Sequence, residues 1–423
     1  MNSRQKIITH LDTEYQRPVR DPLWKHIYLS DAMLELIDTR PCRQLSRIKQ
    51  LGPSYLVYPG ATHTRLNHSL GVYHIAKRMI RDLITAPGMP GLSLEGVKAF
   101  LTAALLHDLG HFPYTHSFKE LPLKEHETLT GELILSDAVA AKIKDGIGAD
   151  PYMTAAIVDL ELSTGGNEEI TFFRHILSGP LDPDKLDYLN RDAYFCGVPY
   201  GVQDIDFALS RVLPYGLEGI AIDITGVSAI ENILFAKYLM YRAVYWHRTV
   251  RVATAMIKKA VYMALRDRIV TPTELYGLDD ELFFVKLGDR DYSPFDLVDR
   301  VYNRALYRPV VEIPYSEENA LHQKISNLDE RITMEERIAA RIGKKLSSDV
   351  RPEEVIVDVP ERISFEVSLP VHTADSYVDY PESGTVFTPQ VIGDFTHTLR
   401  RIRLVLSPRI AERVTDPGEY LYE

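Results

Sequence analysis

Apolar residues recur three and four positions apart through much of residues 29–265, the spacing of a single helix face. Ser69–Ile84, Leu94–Leu109 and Ile230–Leu265 carry this spacing most strongly and are expected to be helices. Short breakers separate such stretches at Pro87 to Gly91, Gly165 to Asn167 and Gly197 to Gly201. No repeat of fixed period is present. The character changes near residue 310. Arg331 to Lys345 reads as a charged helix, with Glu335, Glu336, Arg337 and Arg341 on a solvated face. Val355–Val359 and Ile363–Leu369 are apolar and β-branched and are expected to be strands. Phe395 to Leu406 fits either a helix or a strand. The pattern therefore predicts a mainly α protein, with a helical body over 1–310 and a small mixed α/β module over 311–423.

A chain of 423 residues is long enough for one large domain and a smaller partner. With 45% hydrophobic and 25% charged residues, it reads as globular and not as disordered. The net charge of −11 argues against a protein that coats duplex nucleic acid, since such proteins present basic surfaces. It is compatible with a small anionic substrate held in a focused positive pocket. Cys42 and Cys196 are too far apart to form a zinc cluster or a disulfide framework, which points to a reducing compartment. Met1 to Arg20 lacks an apolar signal core. No stretch approaches the roughly 18–20 apolar residues of a membrane span. The expected location is cytoplasmic, without a membrane partner.

The candidate chemistry begins where Lys98-Ala-Phe-Leu-Thr-Ala-Ala-Leu-Leu runs into His107-Asp108, with Gly110 placed to end the helix. A carboxylate at the tail of a buried helix needs a partner, and a metal ion or a structural hydrogen bond would serve. Upstream, Arg65 and His68 are three apart and share a helix face. Downstream, Asp182 and Pro183 form an N-cap and N1 pair for a helix with Asp184, Tyr188 and Asp192 along one side. His68, His107, Asp108 and Asp184 together offer two imidazoles and two carboxylates. That donor set suits one divalent ion, iron, manganese, zinc or magnesium, and selects none of them. Such an ion would bind phosphate oxygen and lower the pKa of a bound water.

The order His, His-Asp, Asp is the signature of the HD-domain superfamily. The longer motifs are narrower: Tyr58-Pro-Gly-Ala-Thr-His-Thr-Arg-Leu-Asn-His-Ser-Leu-Gly-Val72, His107-Asp-Leu-Gly-His-Phe-Pro-Tyr-Thr-His116, His126-Glu127 and Asp182-Pro-Asp-Lys-Leu-Asp-Tyr188. They closely resemble the deoxynucleoside triphosphate triphosphohydrolases related to the vertebrate SAM-and-HD-domain enzyme and to bacterial dGTPases. The similarity runs from about Asp21 to Leu265, with a weaker echo in the C-terminal module. The resemblance implies an HD-domain, phosphodiesterase-like helical body with its core at about 60–195, and too few residues before it for a SAM domain. It also implies a homo-oligomer, dimer or tetramer. The reaction it implies is cleavage of a deoxynucleoside triphosphate to deoxynucleoside and triphosphate by attack of a metal-bound water on the α-phosphorus. In that reading His68, His107, Asp108 and Asp184 are the metal ligands. Arg65, Lys185, Tyr188 and Lys237 meet the phosphates, and Lys237 replaces the family's arginine. Gln50, Leu51, Asp192 and Tyr245 surround the sugar. His111, His116 and His126 stand near the α-phosphate. Asp38 matches a residue that reads an activating guanine nucleotide, with Ser46 at the companion arginine position and Arg43 or Arg47 as substitutes.

A nucleoside 5′ alkoxide is a poor leaving group, so this cleavage benefits from a general acid. His116 is the candidate, with His126 or Glu127 setting its protonation. Lys119 stands where the vertebrate enzyme carries an aspartate, which leaves Glu120 as the acid that could pair with His116. On the residues alone, His111 also fits a helix cap, His126 a surface site and Tyr245 the core. His63, His74 and His247 read as structural or supporting residues. Two other functions stay open. One is an HD phosphohydrolase acting on another nucleotide, a phosphomonoester or single-stranded nucleic acid. The other is a nucleotide sensor without hydrolysis.

Overall fold

The computed structural model describes residues 2–365 and 367–421. It is 57% helical, with small sheets, so the chain is mainly α. The helix Arg65–Thr85 starts at a capping box, in which Thr64 and Asn67 each satisfy the other's backbone N–H. It packs against Leu94–Leu106 and Pro183–Cys196, the three helices that carry the signature residues. From Gly96 to Leu106 the second of these is buried at every residue but Lys98, as expected of a core helix that is apolar all round.

That helix ends sooner than its pattern implies, with His107 as its C-cap in place of a run to Leu109. Gly110 is not left-handed. It is needed for close approach, because a Cβ there would lie 2.3 Å from the His126 carbonyl oxygen and 2.6 Å from the Thr130 nitrogen. The expected helix Ile230–Leu265 is also interrupted. It forms as Val227–Met240, a wide turn at Tyr241–Tyr245 and Arg248–Arg266. Wide turns of this kind re-aim side chains, and here Tyr241 and Tyr245 both reach the central cavity.

In the C-terminal part, Arg308–Pro314, Arg401–Leu406 and Val355–Asp358 form an antiparallel sheet with Arg401–Leu406 in the middle. The helix Leu328–Leu346 packs on it. Phe395 to Leu406 resolves into both alternatives, the end of helix Pro389–Leu399 followed by strand Arg401–Leu406. Ile363–Leu369 is not a strand: its described residues pair with no ladder, and its apolar character comes from burial of Ile363, Phe365, Val367 and Leu369. The strand begins at Pro370–His372, which lies parallel to Gly219–Asp223 and so ties residues beyond 311 to the helical body. Glu335 leaves the expected solvated face. It is buried, pairs with Lys259 and accepts the Val357 N–H at 2.7 Å. Among the described residues, no helix is long and apolar enough to cross a membrane.

Candidate active site

A cavity of about 730 Å³ opens where the three signature helices meet. His68 stands on the first turn of Arg65–Thr85 and is buried. Its Nδ1 lies 2.9 Å from Asp187 Oδ2, and its Nε2 lies 2.9 Å from Asp184 Oδ1. His107 Nδ1 donates to the Ala104 carbonyl at 3.0 Å, which leaves the Nε2 lone pair facing the cavity. That atom is 4.0 Å from Asp184 Oδ1 and 3.4 Å from Asp108 Oδ1. The donor atoms of His68, His107 and Asp184 all lie within 4.8 Å of one another.

Asp108 is drawn partly away from this trio. Its Oδ2 accepts from Arg65 at 2.7 Å and its Oδ1 lies 3.0 Å from His111 Nε2. Burial opposes its ionisation, but His111, His107 and Arg65 hold its pKa well below the carboxylate range. Burial likewise opposes charge on His68, yet Asp184 and Asp187 push its pKa up to about 10. The donor atoms of His68, His107 and Asp184 converge on one point, and a divalent cation there would replace the proton that His68 Nε2 shares with Asp184. The donor set therefore fits a metal.

Behind His68 is a support that the sequence reading did not assign. Asp187 is fully buried and receives Trp24 Nε1 at 2.6 Å as well as Arg191 through two bonds of 2.8 and 3.0 Å. Arg191 also reaches Asp21 at 2.8 Å. Gly71 makes room for the pair, since a Cβ there would come within 1.8 Å of Asp187 Oδ1. The signal available in sequence was the i,i+4 spacing of Asp187 and Arg191 on a helix.

Asp184, Tyr188 and Asp192 do share one side of Pro183–Cys196, and all three line the cavity. Lys185 also lines it, paired with the N-cap Asp182. Asp192 accepts from Tyr245 at 2.7 Å and lies 2.8 Å from His63 Nε2. His63 stacks on Phe195 at 4.6 Å. His74 stacks on Trp24, and His247 caps Arg248–Arg266. Gln50 and Leu51 line the wall, and the buried Gln50 Oε1 has no hydrogen-bond partner, nor does Arg65 Nε.

His111, His116 and His126 gather as a ring cluster, with centroids 4.0 Å apart for His111 and His126 and 4.7 Å for His111 and His116. His116 and His126 line the cavity with Glu127, and His111 lies behind them. Glu127 sits 3.0 Å from His126 Nδ1; against burial, that histidine and Lys119 lower its pKa to about 2. Glu120 does not take over as a partner for His116. It binds Lys258 at 2.6 Å and Arg331 at 2.7 Å. Lys237 is not on the cavity wall: its ammonium donates to the Ser364 carbonyl at 2.7 Å, and burial followed by Lys185 lowers its pKa to about 8. Asp38 and Arg43 pair with each other at 3.1 Å on the surface, away from the cavity.

A model of the HD domain matches residues 65–159, and one of the HD associated region matches residues 211–386. An uncharacterized protein of Methanocaldococcus jannaschii is 33% identical over 342 residues, covering 79% of this chain and 69% of that one. YwfO of Bacillus subtilis, also uncharacterized, is 36% identical over 66% of this chain, and the match spans 64% of its own length. The deoxynucleoside triphosphate triphosphohydrolase SAMHD1 of Danio rerio is 25% identical over 75% of this chain and 55% of its own. Among solved structures, a hypothetical protein from Aquifex aeolicus has a TM-score of 0.72 and 27% identity, over 94% of this chain and 98% of that one. A phosphohydrolase from Bacteroides thetaiotaomicron has a TM-score of 0.72 at 21% identity, over 93% and 100%, a likeness of fold.

Proposed function

Because the chain belongs to the HD-domain family, with the HD-associated region after the domain, we propose that it is a metal-dependent phosphohydrolase that converts deoxynucleoside triphosphates to deoxynucleoside and triphosphate. The observation that carries this reading is the convergence of His68, His107 and Asp184 donor atoms within 4.8 Å, in a cavity also lined by Arg65, Lys185, Asp192 and Tyr245. Asp108, whose Oδ1 lies 3.4 Å from His107 Nε2, would be the fourth ligand on turning from His111 toward the cation. A divalent cation held by these four supplies Lewis-acid stabilisation of phosphate charge and acidifies water.

The remaining steps belong to side chains. Arg65 Nε is a buried donor with no partner, and Lys185 is a second cation, so both can meet phosphate oxygens. Asp192 keeps lone pairs beyond those taken by Tyr245 and His63, and can accept from a sugar hydroxyl. Gln50 Oε1 is an unpartnered acceptor on the same wall.

Protonation of the leaving 5′ oxygen falls to His116. Although this residue is exposed to the open cavity, the protein around it, and then Arg65, lower its pKa to about 3. An anionic polyphosphate beside it would oppose this shift and favour the charged imidazolium that a general acid needs. His116→Asn is expected to lower kcat by about 10²- to 10⁴-fold with little change in KM. Steady-state kinetics check this, and a variant as fast as the wild type removes His116 from the chemistry.

The reading itself is tested by product analysis. Purified protein is incubated with each deoxynucleoside triphosphate and a divalent metal, with and without guanine nucleotides. Triphosphate and free deoxynucleoside are the expected products. Pyrophosphate or inorganic phosphate would identify a different phosphohydrolase reaction, and no cleavage at all would overturn the proposal.

A further inference from the structure

The helical body does not complete the cavity wall alone. Residues 358–365, which follow the Val355–Asp358 strand, cross to it and contribute Glu361 and Arg362. Their path is fixed at several points. Arg251, on the helix Arg248–Arg266, holds Asp358 through bonds of 2.5 and 3.2 Å and reaches Glu361 at 3.3 Å. Against the cost of burial, Arg251 and Arg403 keep the Asp358 carboxyl ionised, its pKa below the usual range. Arg400 donates to the Pro360 carbonyl at 2.7 Å, and Lys237 to that of Ser364 at 2.7 Å. Ile363 and Phe365 are buried in a cluster with Tyr238, Trp246 and Leu399. A stretch tied down this densely presents its remaining side chain from a defined position. That side chain is Arg362.

The cations of the wall differ in what already neutralises them. Arg65 is bound to Asp108, Lys185 to Asp182, Arg251 to Asp358, Lys258 to Glu120 and Lys49 to Asp280. Lys119 on the same wall, unpaired among the described residues, is an ammonium without a planar fork of donors. Arg362 is exposed in the cavity and makes no hydrogen bond or ion pair among the described residues. A cation already facing a carboxylate, as Arg65 and Lys185 do, can still donate a hydrogen bond to phosphate but brings little net charge to it. An uncommitted guanidinium offers its full charge and a planar fork of donors matched to phosphate oxygens. Three aromatic members of the wall, Tyr241, Tyr245 and Trp246, are better suited to the sugar and base than to phosphate.

We propose that Arg362 is a phosphate-binding residue of this cavity, a guanidinium that the C-terminal part of the chain supplies to the polyphosphate of the substrate. The inference rests on the phosphohydrolase reading above and adds to it a residue from outside the helical body. It also gives the buried Arg251–Asp358 pair a function, which is to aim the stretch that carries Arg362.

The test uses the full chain, Arg362→Ala and Arg362→Lys, with manganese in excess over the polyphosphate. Binding of inorganic triphosphate and of deoxyguanosine is measured by calorimetry, and thermal unfolding confirms that the variants are folded. Arg362→Ala is expected to weaken triphosphate binding by about tenfold or more and to leave deoxyguanosine binding unchanged, with Arg362→Lys in between. Unchanged triphosphate affinity, an equal loss for both ligands, or no binding of triphosphate to the wild type would each overturn the inference. Cleavage of deoxynucleoside triphosphates by a wild type whose triphosphate affinity ignores Arg362 sinks this inference alone. Triphosphate binding that depends on Arg362 in a protein that cleaves no deoxynucleotide sinks the proposed reaction alone.

Discussion

Asp184→Ala is expected to lose its divalent metal and to hydrolyse deoxynucleoside triphosphates at least about a thousandfold more slowly than the wild type. Asp184 Oδ1 lies 2.9 Å from His68 Nε2 and 4.0 Å from His107 Nε2, so its removal takes the central donor out of the cluster. His68 then loses one of the two carboxylates that offset the cost of its burial. The thermal response separates loss of metal from loss of fold. A ligand that binds only the folded state, present at about 1,000 times its Kd, stabilises by about 4 kcal/mol. The wild type should therefore rise in Tm when manganese is added, and Asp184→Ala should not. A variant that keeps both the metal and the rate would show that the carboxylate is not a ligand.

Asp187→Ala should be the most damaging change outside the ligands. It leaves the fully buried Arg191 with Asp21 as its one remaining carboxylate, strips a 2.6 Å partner from Trp24 and frees the His68 ring. Breaking a buried ion pair from one side costs about 3–5 kcal/mol. Loss of the residue that orients a metal-binding histidine costs about 10- to 100-fold in metal affinity. Chemical denaturation and metal titration measure the two effects separately. Asp187→Asn preserves the shape and should lose less of each. Wild-type stability together with wild-type metal affinity in Asp187→Ala would contradict the supporting role.

How much of this was legible depends on how locally each feature is encoded. His68, His107 and Asp184 announce themselves within short helical motifs, and the fold brings their donor atoms together. The mainly α class follows from periodicity alone. What escaped was long-range. Trp24 and Asp187 are 163 positions apart, and no spacing rule links them. Gly110 reads as a helix stop, but the reason for it is the approach of the His126 backbone. Glu335 looks like a surface charge until Lys259 and the Val357 N–H are placed beside it. Ile363–Leu369 has the composition of a strand because burial and sheet formation favour the same residues. Lys237, aligned with a phosphate ligand, is turned aside by the Ser364 carbonyl. The uncommitted guanidinium of the wall is that of Arg362, which arrives from a segment more than 150 residues beyond the last metal-ligand candidate.

The most direct measurement is an anomalous difference map from crystals of the full chain grown with manganese, with data collected on both sides of the metal absorption edge. A single strong peak within bonding distance of His68, His107, Asp108 and Asp184 is the predicted result. A map with no peak there, or with the ion held by other side chains, would contradict the claim that these four residues build the metal site.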